Sequence, residues 1–222
     1  RGGATLRAIP PSLPPCPRGR LSANVTTNSG MRNLAIAGTK SAYGPDSDVA
    51  TIMQHLVGVL GSQPAAKQHG IRDVTMFYIP EKHAGVYSIL AKVTPDGPEE
   101  AAMAEAQHAI EEHIMAPLRI FADERILRIL LAQYRASVYD ALQSGPQALA
   151  AMAVQGILAC DKPSLAWHVA DRYADDVITT EKVRAVANQM FDPTQLAVVR
   201  CTEAPNSVCV ASTRSVESAR GD

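Results

Sequence analysis

The segment 177–201, VITTEKVRAVANQMFDPTQLAVVRC, constrains the fold most, because it encodes a helix, a tight turn and a core strand. Thr179 or Thr180 can cap the helix, and apolar residues at i, i+3 and i+4 predict one buried helical face. These residues are Val183, Val186 and Ala187. The Asp-Pro pair at 192–193 ends the helix, since a residue before proline avoids the helical conformation. The apolar run 196–199 then predicts a buried strand, so the chain is expected to complete its core near its end.

The composition indicates one sizeable domain without a strong global charge. The chain has 222 residues, 46% of them hydrophobic, and its formal net charge is -1 at pH 7. A charge so close to zero gives no global attraction to nucleic acid or to an acidic membrane surface. No apolar run approaches the roughly 20 residues that span a bilayer, since the candidate at 148–160 is interrupted by Gln155 and Gly156. We therefore expect a soluble or peripheral protein with no transmembrane segment and no nucleic-acid partner.

Residues 1–30 are predicted to form an arm or linker outside the core, because they lack hydrophobic periodicity and are rich in Pro, Gly, Ser and Asn. Six cationic residues precede the first acidic residue of the chain, Asp46. They are Arg1, Arg7, Arg18, Arg20, Arg32 and Lys40. The bias fits two interpretations, a remnant of a mitochondrial presequence and a flexible basic arm. The prolines exclude a continuous amphipathic helix in either case. The domain is expected to cover 31–203, with a flexible tail at 204–222.

The remaining patterns predict the order β-α-β-β-α-α-α-α-α-β, which is typical of an α+β fold with an antiparallel sheet and helices packed on one face. Asp46 or Ser47 is expected to cap the first helix. Pro98 is expected at position N1 of a later helix, which Pro117 should break. The predicted strands are 33–38, 74–79, 85–93 and 196–199, and the middle two should form a hairpin. The predicted helices are 46–60, 98–116, 123–144, 147–160, 164–173 and 180–190.

The sequence offers no residue to which a catalytic, cofactor-binding or metal-binding role can be assigned. His108 and His113 flank two glutamates, and their stretch differs by one inserted residue from the zinc-protease motif HxxEH. A separation of five residues places the histidines about 140° apart on a helix, so they cannot hold one ion. A second stretch has Thr51 and Gln54 in place of that motif's first histidine and glutamate, which leaves His55 as the only ligand. We therefore expect both stretches to be solvated helix surfaces without metal.

Other distinctive side chains are predicted to be structural. The cysteines lack CxxC spacing and the density of a disulfide scaffold, so reduced thiols are expected at Cys16, Cys160, Cys201 and Cys209. Trp167 is the only tryptophan, and its helical setting favours a packing anchor over a ligand contact. Several cationic residues could form a basic face for a peptide or a lipid headgroup, but acidic neighbours favour a mixed, solvated surface. These are Arg125, Arg128, Arg135 and Lys182 or Arg184.

Three stretches of the chain, taken in order, carry a family resemblance. The first, NLAIAG followed by GPDSDVATIMQHLVGVLGS, fits a strand and a helix that ends in a Leu-Gly turn. The second, AGVYSILAKVTPDGPEEAAMAEAQHAI, fits a strand and an acidic-started helix, and the third, TTEKVRAVANQMFDPTQLAVV, fits a terminal helix, turn and strand. Together they resemble the C-terminal half of the mitochondrial processing peptidase family, also called the pitrilysin-like or M16 family. The resemblance covers about residues 33–202 and implies the fold of one such half.

The resemblance implies that this half is not catalytic. In the family one half carries HxxEH, and the other often supplies an arginine and a tyrosine from the pattern L-R-x-x-x-G-L-x-Y. If Gly70-Ile71 matches the Gly-Leu pair, Lys67 and Asp73 stand near those two positions, and an aspartate cannot donate a hydrogen bond to an oxyanion. The chain thus resembles the degenerate members retained as core proteins of ubiquinol–cytochrome c reductase, respiratory complex III.

The implied function is a structural scaffold on the matrix side of the mitochondrial inner membrane, bound peripherally to other complex III subunits and without a cofactor. One alternative is the substrate-handling half of a mitochondrial presequence peptidase, and another is an interaction domain unrelated to mitochondria. Family members normally carry two halves in one chain, so this sequence corresponds to a fragment or to a split subunit. A second M16-like half or core protein is the expected partner, because it would cover surface that one half exposes.

Overall fold

The computed structural model describes residues 21–27, 32–41, 43–82, 84–94, 97–161 and 168–203. Its strands form one five-stranded sheet. They are β1 (Leu21–Thr27), β2 (Asn33–Ser41), β3 (Ile71–Ile79), β4 (Ala84–Val93) and β5 (Ala197–Glu203). The order across the sheet is β1-β5-β2-β4-β3, so β1 and β3 are its edges. Neighbouring strands are antiparallel except β1 and β5, which are parallel.

The helices connect these strands and pack on one face of the sheet. They are α1 (Pro45–Gly61), α2 (Pro64–Lys67), α3 (Glu99–Ile110), α4 (Ala116–Arg119), α5 (Glu124–Gln143), α6 (Pro146–Cys160), α7 (Val169–Arg172) and α8 (Thr180–Met190). A π-helical turn, Glu111–Met115, joins α3 to α4, and a 3-10 turn, Pro193–Gln195, precedes β5. α1 packs on β3, and α8 packs on both α1 and β2. The predicted α+β class with helices on one face is confirmed.

The core lies between this helical layer and alternate residues of the strands. On β4, for example, Tyr87, Ile89 and Ala91 are buried while the residues between them are not, as expected of a strand covered on one face. The predicted core residues of α8 and β5 are confirmed. Val183, Val186, Leu196 and Val198 are each at most 2% exposed.

Tyr87 connects the sheet to the end of α8. Its buried ring meets Phe191 edge to face with 5.9 Å between the ring centroids, and its hydroxyl donates a hydrogen bond to the Met190 carbonyl. The ring lies over Gly38, its partner on β2, where a Cβ would come 2.3 Å from the Tyr87 hydroxyl oxygen. Position 38 therefore requires glycine. Burial raises the pKa of Tyr87, so the hydroxyl keeps its proton and remains a donor.

Part of the predicted N-terminal arm belongs to the sheet. Residues 21–27 form β1 and pair with β5 from Leu21–Ala197 to Thr27–Glu203. Residues 1–30 are expected from the sequence to form an extended arm or linker outside the core, and 21–27 instead form an edge strand of the domain's sheet. Residues 22–25 are exposed, and an edge strand held mainly by backbone hydrogen bonds needs no hydrophobic periodicity. The rest of the predicted arm at 1–20 and the predicted tail at 204–222 lie outside the described residues.

Two predicted helix starts are shifted. α1 begins at Pro45 with Gly44 as its N-cap residue, rather than with Asp46 or Ser47. The Ser47 hydroxyl accepts a hydrogen bond from the Gly44 amide at 3.1 Å, so this side chain caps from the third helical position. Pro98 is likewise the N-cap residue of α3 instead of its first helical residue. Proline suits the first helical position, as at Pro45, and the N-cap position, as at Pro98, because it fixes φ and has no amide hydrogen that needs an acceptor.

The prediction that Pro117 breaks its helix is also wrong. The helical path continues through Pro117 to Arg119. In the preceding π-helical turn, the Ala116 amide donates to the Glu111 carbonyl five residues earlier, which changes the hydrogen-bonding register before the proline. We attribute the tolerance of Pro117 to this change.

Other boundaries agree with the predictions. β3 and β4 form the expected antiparallel hairpin. Asp123 caps α5 by accepting a hydrogen bond from the Ile126 amide at 2.9 Å, and Thr179 caps α8 by accepting from the Lys182 amide at 3.4 Å. The predicted helix 164–173 is described only from residue 168, so Trp167 lies outside the described residues.

We expect Leu196→Ala to lower the free energy of unfolding by about 2–5 kcal/mol, because it leaves a cavity in the core. The matched control is Leu158→Ala, since Leu158 is 66% exposed while Leu196 is 2% exposed. The control should cost less than about 0.5 kcal/mol. Urea unfolding followed by circular dichroism measures both variants. Equal losses would contradict the assignment of Leu196 to the core.

Candidate functional site

A cavity of about 760 Å³ lies between α1, the β3–β4 hairpin, α5, α6 and α7. Thr51, Gln54 and His55 of α1 line it together, because spacings of three and four residues share one face of a helix. These are the three residues of the stretch TIMQH whose spacing resembles that of HxxEH. His55 is exposed, as predicted, but it faces this cavity.

A buried ion pair forms the polar side of the cavity. The Asp48 carboxylate accepts hydrogen bonds from Arg172 Nε at 3.0 Å, from Arg172 Nη2, and from the Tyr173 hydroxyl at 3.0 Å. Arg172 Nη2 also donates to the Tyr43 hydroxyl at 2.8 Å. Burial opposes the charged form of Arg172, but the Asp48 hydrogen bond and charge outweigh it and raise the pKa of Arg172. The pair joins α1 to α7 across 124 residues of sequence.

Aromatic rings line the adjoining wall. The Tyr134 ring centroid lies 5.5 Å from that of His55 and 4.6 Å from that of Tyr173, both in tilted arrangements. Burial raises the pKa of both tyrosines, so their hydroxyls stay neutral. Burial also lowers the pKa of His55, which favours the neutral imidazole near pH 7. The wall therefore presents uncharged rings.

Side-chain contacts fix the other walls. The Gln54 side-chain oxygen accepts a hydrogen bond from the Tyr78 amide at 3.2 Å, and the Tyr78 hydroxyl donates to Ser47 Oγ at 3.0 Å, which ties α1 to the edge strand β3. Lys82 of the hairpin forms an ion pair with Asp161, the C-cap residue of α6. The walls thus come from segments far apart in sequence.

The chemistry of this cavity favours binding over reaction. Of the three motif positions, only His55 carries a side chain that commonly ligates zinc. Among the described residues, no group of three or more His, Cys, Asp or Glu side chains is arranged to hold a metal ion. The Asp48 carboxylate already accepts hydrogen bonds from Arg172 and Tyr173. It is therefore poorly placed to act as a general base.

The other two histidines considered from sequence do not meet. His108 Nε2 lies 3.3 Å from Glu112 Oε2 on the exposed side of the helix. The His113 ring stacks on His69 with 5.4 Å between centroids, and His69 Nδ1 lies 2.9 Å from Glu105 Oε1. His108 and His113 therefore have different neighbours, as their separation of five residues predicted.

The remaining sequence candidates lie on the surface. Lys67 ends α2 and is exposed, and Asp73 on β3 forms an exposed ion pair with Lys92 at 3.1 Å. Three cationic residues of the predicted mixed surface pair with acidic neighbours: Arg128 with Glu124, Arg135 with Asp175, and Arg184 with Glu181. Cys201 is a free thiol, whereas Cys16 and Cys209 lie outside the described residues. No described helix has the length and apolar character to cross a membrane.

The sheet face that the helices leave uncovered, the open sheet face, is mostly apolar, with Thr75 and Ser88 as its uncharged polar residues on β3 and β4. On β3 its residues Phe77 and Ile79 are 51% and 59% exposed, and on β4 its residues Val86 and Leu90 are 45% and 40% exposed. The strand register extends this face with small and β-branched residues: Leu90 pairs with Ala35, which pairs with Val199, which pairs with Ala23. The family resemblance implied that one half exposes such a surface, but sequence reasoning did not locate it on β3 and β4. The near-continuous apolar run GVYSILA in β4 is the signal that could have revealed it, since such runs suit strands covered on both faces.

We expect Arg172→Ala to lower the free energy of unfolding by about 2–4 kcal/mol, because Asp48 would keep a largely buried carboxylate without its cation. The matched control is Arg128→Ala. The Arg128 side chain is 65% exposed beside Glu124, whereas that of Arg172 is 20% exposed. The control should cost less than about 0.5 kcal/mol. Chemical denaturation tests the pair, and similar small losses in both variants would contradict a stabilising role for the Asp48–Arg172 contact.

No protein-family model matches the sequence, and no curated protein matches it. Solved structures do match. A protease from Helicobacter pylori has a TM-score of 0.68 and 16% identity, covering 83% of this chain and 44% of its own. An M16 peptidase inactive domain from Pseudomonas fluorescens has a TM-score of 0.58 and 13% identity, covering 85% of this chain and 45% of its own. An inactive peptidase domain from Bordetella parapertussis has a TM-score of 0.62 and 15% identity, covering 84% of this chain and 99% of its own.

These similarities define the fold. The chain spans less than half the length of the first two structures and nearly all of the third. The matched structures include halves that are themselves described as inactive. The chain therefore has the fold of one half of an M16-family, pitrilysin-like peptidase.

Proposed function

We propose that this chain is a non-catalytic peptidase-like half that assembles with a second M16-like half. The observation that carries the proposal is the open sheet face. Its side chains Phe77, Ile79, Val86 and Leu90 are all at least 40% exposed on adjacent strands. Burial of apolar surface contributes roughly 25 cal/mol per Å², so covering this face would stabilise an assembly. Contiguous apolar patches of this kind commonly mark interaction sites.

A second half is the occupant that best fits this face. The H. pylori protease is more than twice as long as the part that this chain covers, since the chain spans 44% of it. On β3 and β4, Asp73 and Lys92 form an ion pair at one end of the face, which leaves the centre without charge. Such a surface suits an apolar partner of fixed shape better than a charged polymer.

The degenerate motif supports a non-catalytic role. Thr51 and Gln54 line the cavity and take the first and fourth positions of a stretch spaced like HxxEH. A threonine and an amide cannot replace an imidazole ligand and a carboxylate base in metal-assisted hydrolysis. His55 alone would leave zinc without the three protein ligands of a typical catalytic site.

At finer detail, we propose a scaffold subunit related to core protein 2 of complex III, peripheral to the matrix side of the mitochondrial inner membrane. The segment 53–56, MQHL, supports this through its similarity to that protein, and the basic residues before Asp46 are compatible with a mitochondrial origin. The substrate-handling alternative is less well supported. It calls for an arginine and a tyrosine where Lys67 and Asp73 stand. Blue-native electrophoresis of mitochondria with mass spectrometry of the particle separates the two, because only the scaffold migrates with complex III subunits.

We expect the purified chain to bind no stoichiometric zinc and to cleave no presequence peptide, since His55 is the only ligand at the degenerate motif. Elemental analysis after dialysis against zinc measures the first property, and mass spectrometry of peptide digests measures the second. His55→Ala and His108→Ala serve as paired variants. One zinc per chain, lost in either variant, would contradict a non-catalytic half.

We expect the native chain, whose own mass is 23.7 kDa, to elute in a larger particle. That particle should contain a second M16-like half. Phe77→Glu should release the chain, because an interface would bury the new carboxylate without a partner. The matched control Ile129→Glu places the same charge on α5, where Ile129 is 48% exposed, and should leave the particle intact. Affinity purification, size-exclusion chromatography and mass spectrometry provide the readout. A wild-type chain that remains a protease-resistant monomer beside complex III subunits and M16-like halves would overturn the proposal.

A further inference from the structure

We propose that the cavity beside the degenerate motif is a preformed binding pocket for a neutral ligand that carries an aromatic ring. This inference concerns the cavity between α1, α5 and α6, and it does not depend on the assembly role of the open sheet face. Its volume of about 760 Å³ lies within the roughly 300–1,000 Å³ of small-molecule sites.

The walls of the pocket are held in place before any ligand arrives. Asp48 and Arg172 join α1 to α7, and Gln54 holds α1 against the Tyr78 amide of β3. Lys82 and Asp161 join the hairpin to the end of α6. Binding therefore requires little ordering of the protein, which favours affinity for a small ligand.

The surfaces of the pocket select a ring. Tyr134 and Tyr173 present tilted aromatic rings beside His55, and Met152 and Leu158 of α6 also line the cavity. Aromatic rings gain from offset or edge-to-face contacts with other rings, and thioethers also pack favourably against them. The pocket thus has one wall of aromatic rings and one wall of aliphatic and thioether side chains.

The charges around the pocket favour a neutral ligand. The guanidinium of Arg172 is engaged by Asp48 and Tyr43, and the ammonium group of Lys82 by Asp161. An anionic ligand would have to compete with Asp48 and Asp161 for Arg172 and Lys82. A cationic ligand would be repelled by Arg172. The remaining charged lining residue, Glu81, is exposed. The ligand class is therefore an uncharged aromatic ring, which can belong to a free small molecule or to the side chain of a peptide.

Methionine-methyl NMR of the full chain tests this pocket with defined probes. We expect p-cresol and N-acetyl-L-tyrosinamide to shift the Met152 methyl signal in a saturable manner through the ring current. Met103, which is 1% exposed in the core, is the internal control and should not shift. N-acetyl-L-leucinamide, tyramine and 4-hydroxyphenylacetate should bind at least about tenfold more weakly, because each lacks the ring or adds a charge. Tighter binding of p-cresol supports a free ligand, and tighter binding of the tyrosinamide supports a peptide side chain.

Two variants of α6 make the assignment to the pocket specific. Gln155→Trp fills the pocket from an exposed lining position and should weaken p-cresol binding at least about tenfold. Val154→Trp adds the same ring at a 51% exposed position outside the lining and should preserve binding. Unchanged Met103 signals verify that both variants are folded. The proposal is overturned if Met152 shows no saturable shift, if both variants bind equally, or if a charged probe binds as tightly as p-cresol.

Discussion

The placement of β5 between β1 and β2 is the constraint on which the rest of the structure depends. β1 and β2 do not pair with each other, and each forms backbone hydrogen bonds with β5, the last described strand. The sheet therefore joins the two ends of the described chain. The turn before β5 is fixed locally. Asp192 accepts hydrogen bonds from the Thr194 amide and hydroxyl at 2.9 and 2.8 Å, and the amide bond is the main cause of its lowered pKa. α8 and β5 therefore enter the core as one unit.

The helical layer then determines the open sheet face and the cavity. Because all the long helices lie on one side, the sheet buries Ile36 and Ile89 against them and leaves Phe77 and Leu90 on the other side exposed. The cavity forms where this layer is incomplete, between α1, α5 and α6. One-sided packing thus leaves an exposed sheet face on one side and, on the other, a pocket lined by Thr51, Gln54 and His55.

The Asp48–Arg172 contact fixes one side of the pocket and engages the largely buried Asp48 carboxylate. A carboxylate that lines a pocket is a candidate general base when it has no hydrogen-bond donor. The Asp48 carboxylate instead accepts hydrogen bonds from Arg172 and Tyr173. The same hydrogen bonds make the walls rigid. The contact therefore fixes the shape of the pocket, and the aromatic rings of Tyr134 and Tyr173 form part of its lining.

The sequence by itself determined the order of most elements, the β3–β4 hairpin, the caps at Asp123 and Thr179, and the buried face of α8. These features depend on residues within a few turns or strands of one another. Only the tertiary structure decided that residues 21–27 form an edge strand, because its stabilisation comes from backbone pairing with β5 and leaves little hydrophobic pattern. It also decided the cavity, since Asp48 and Arg172 are 124 residues apart and no local spacing encodes their contact.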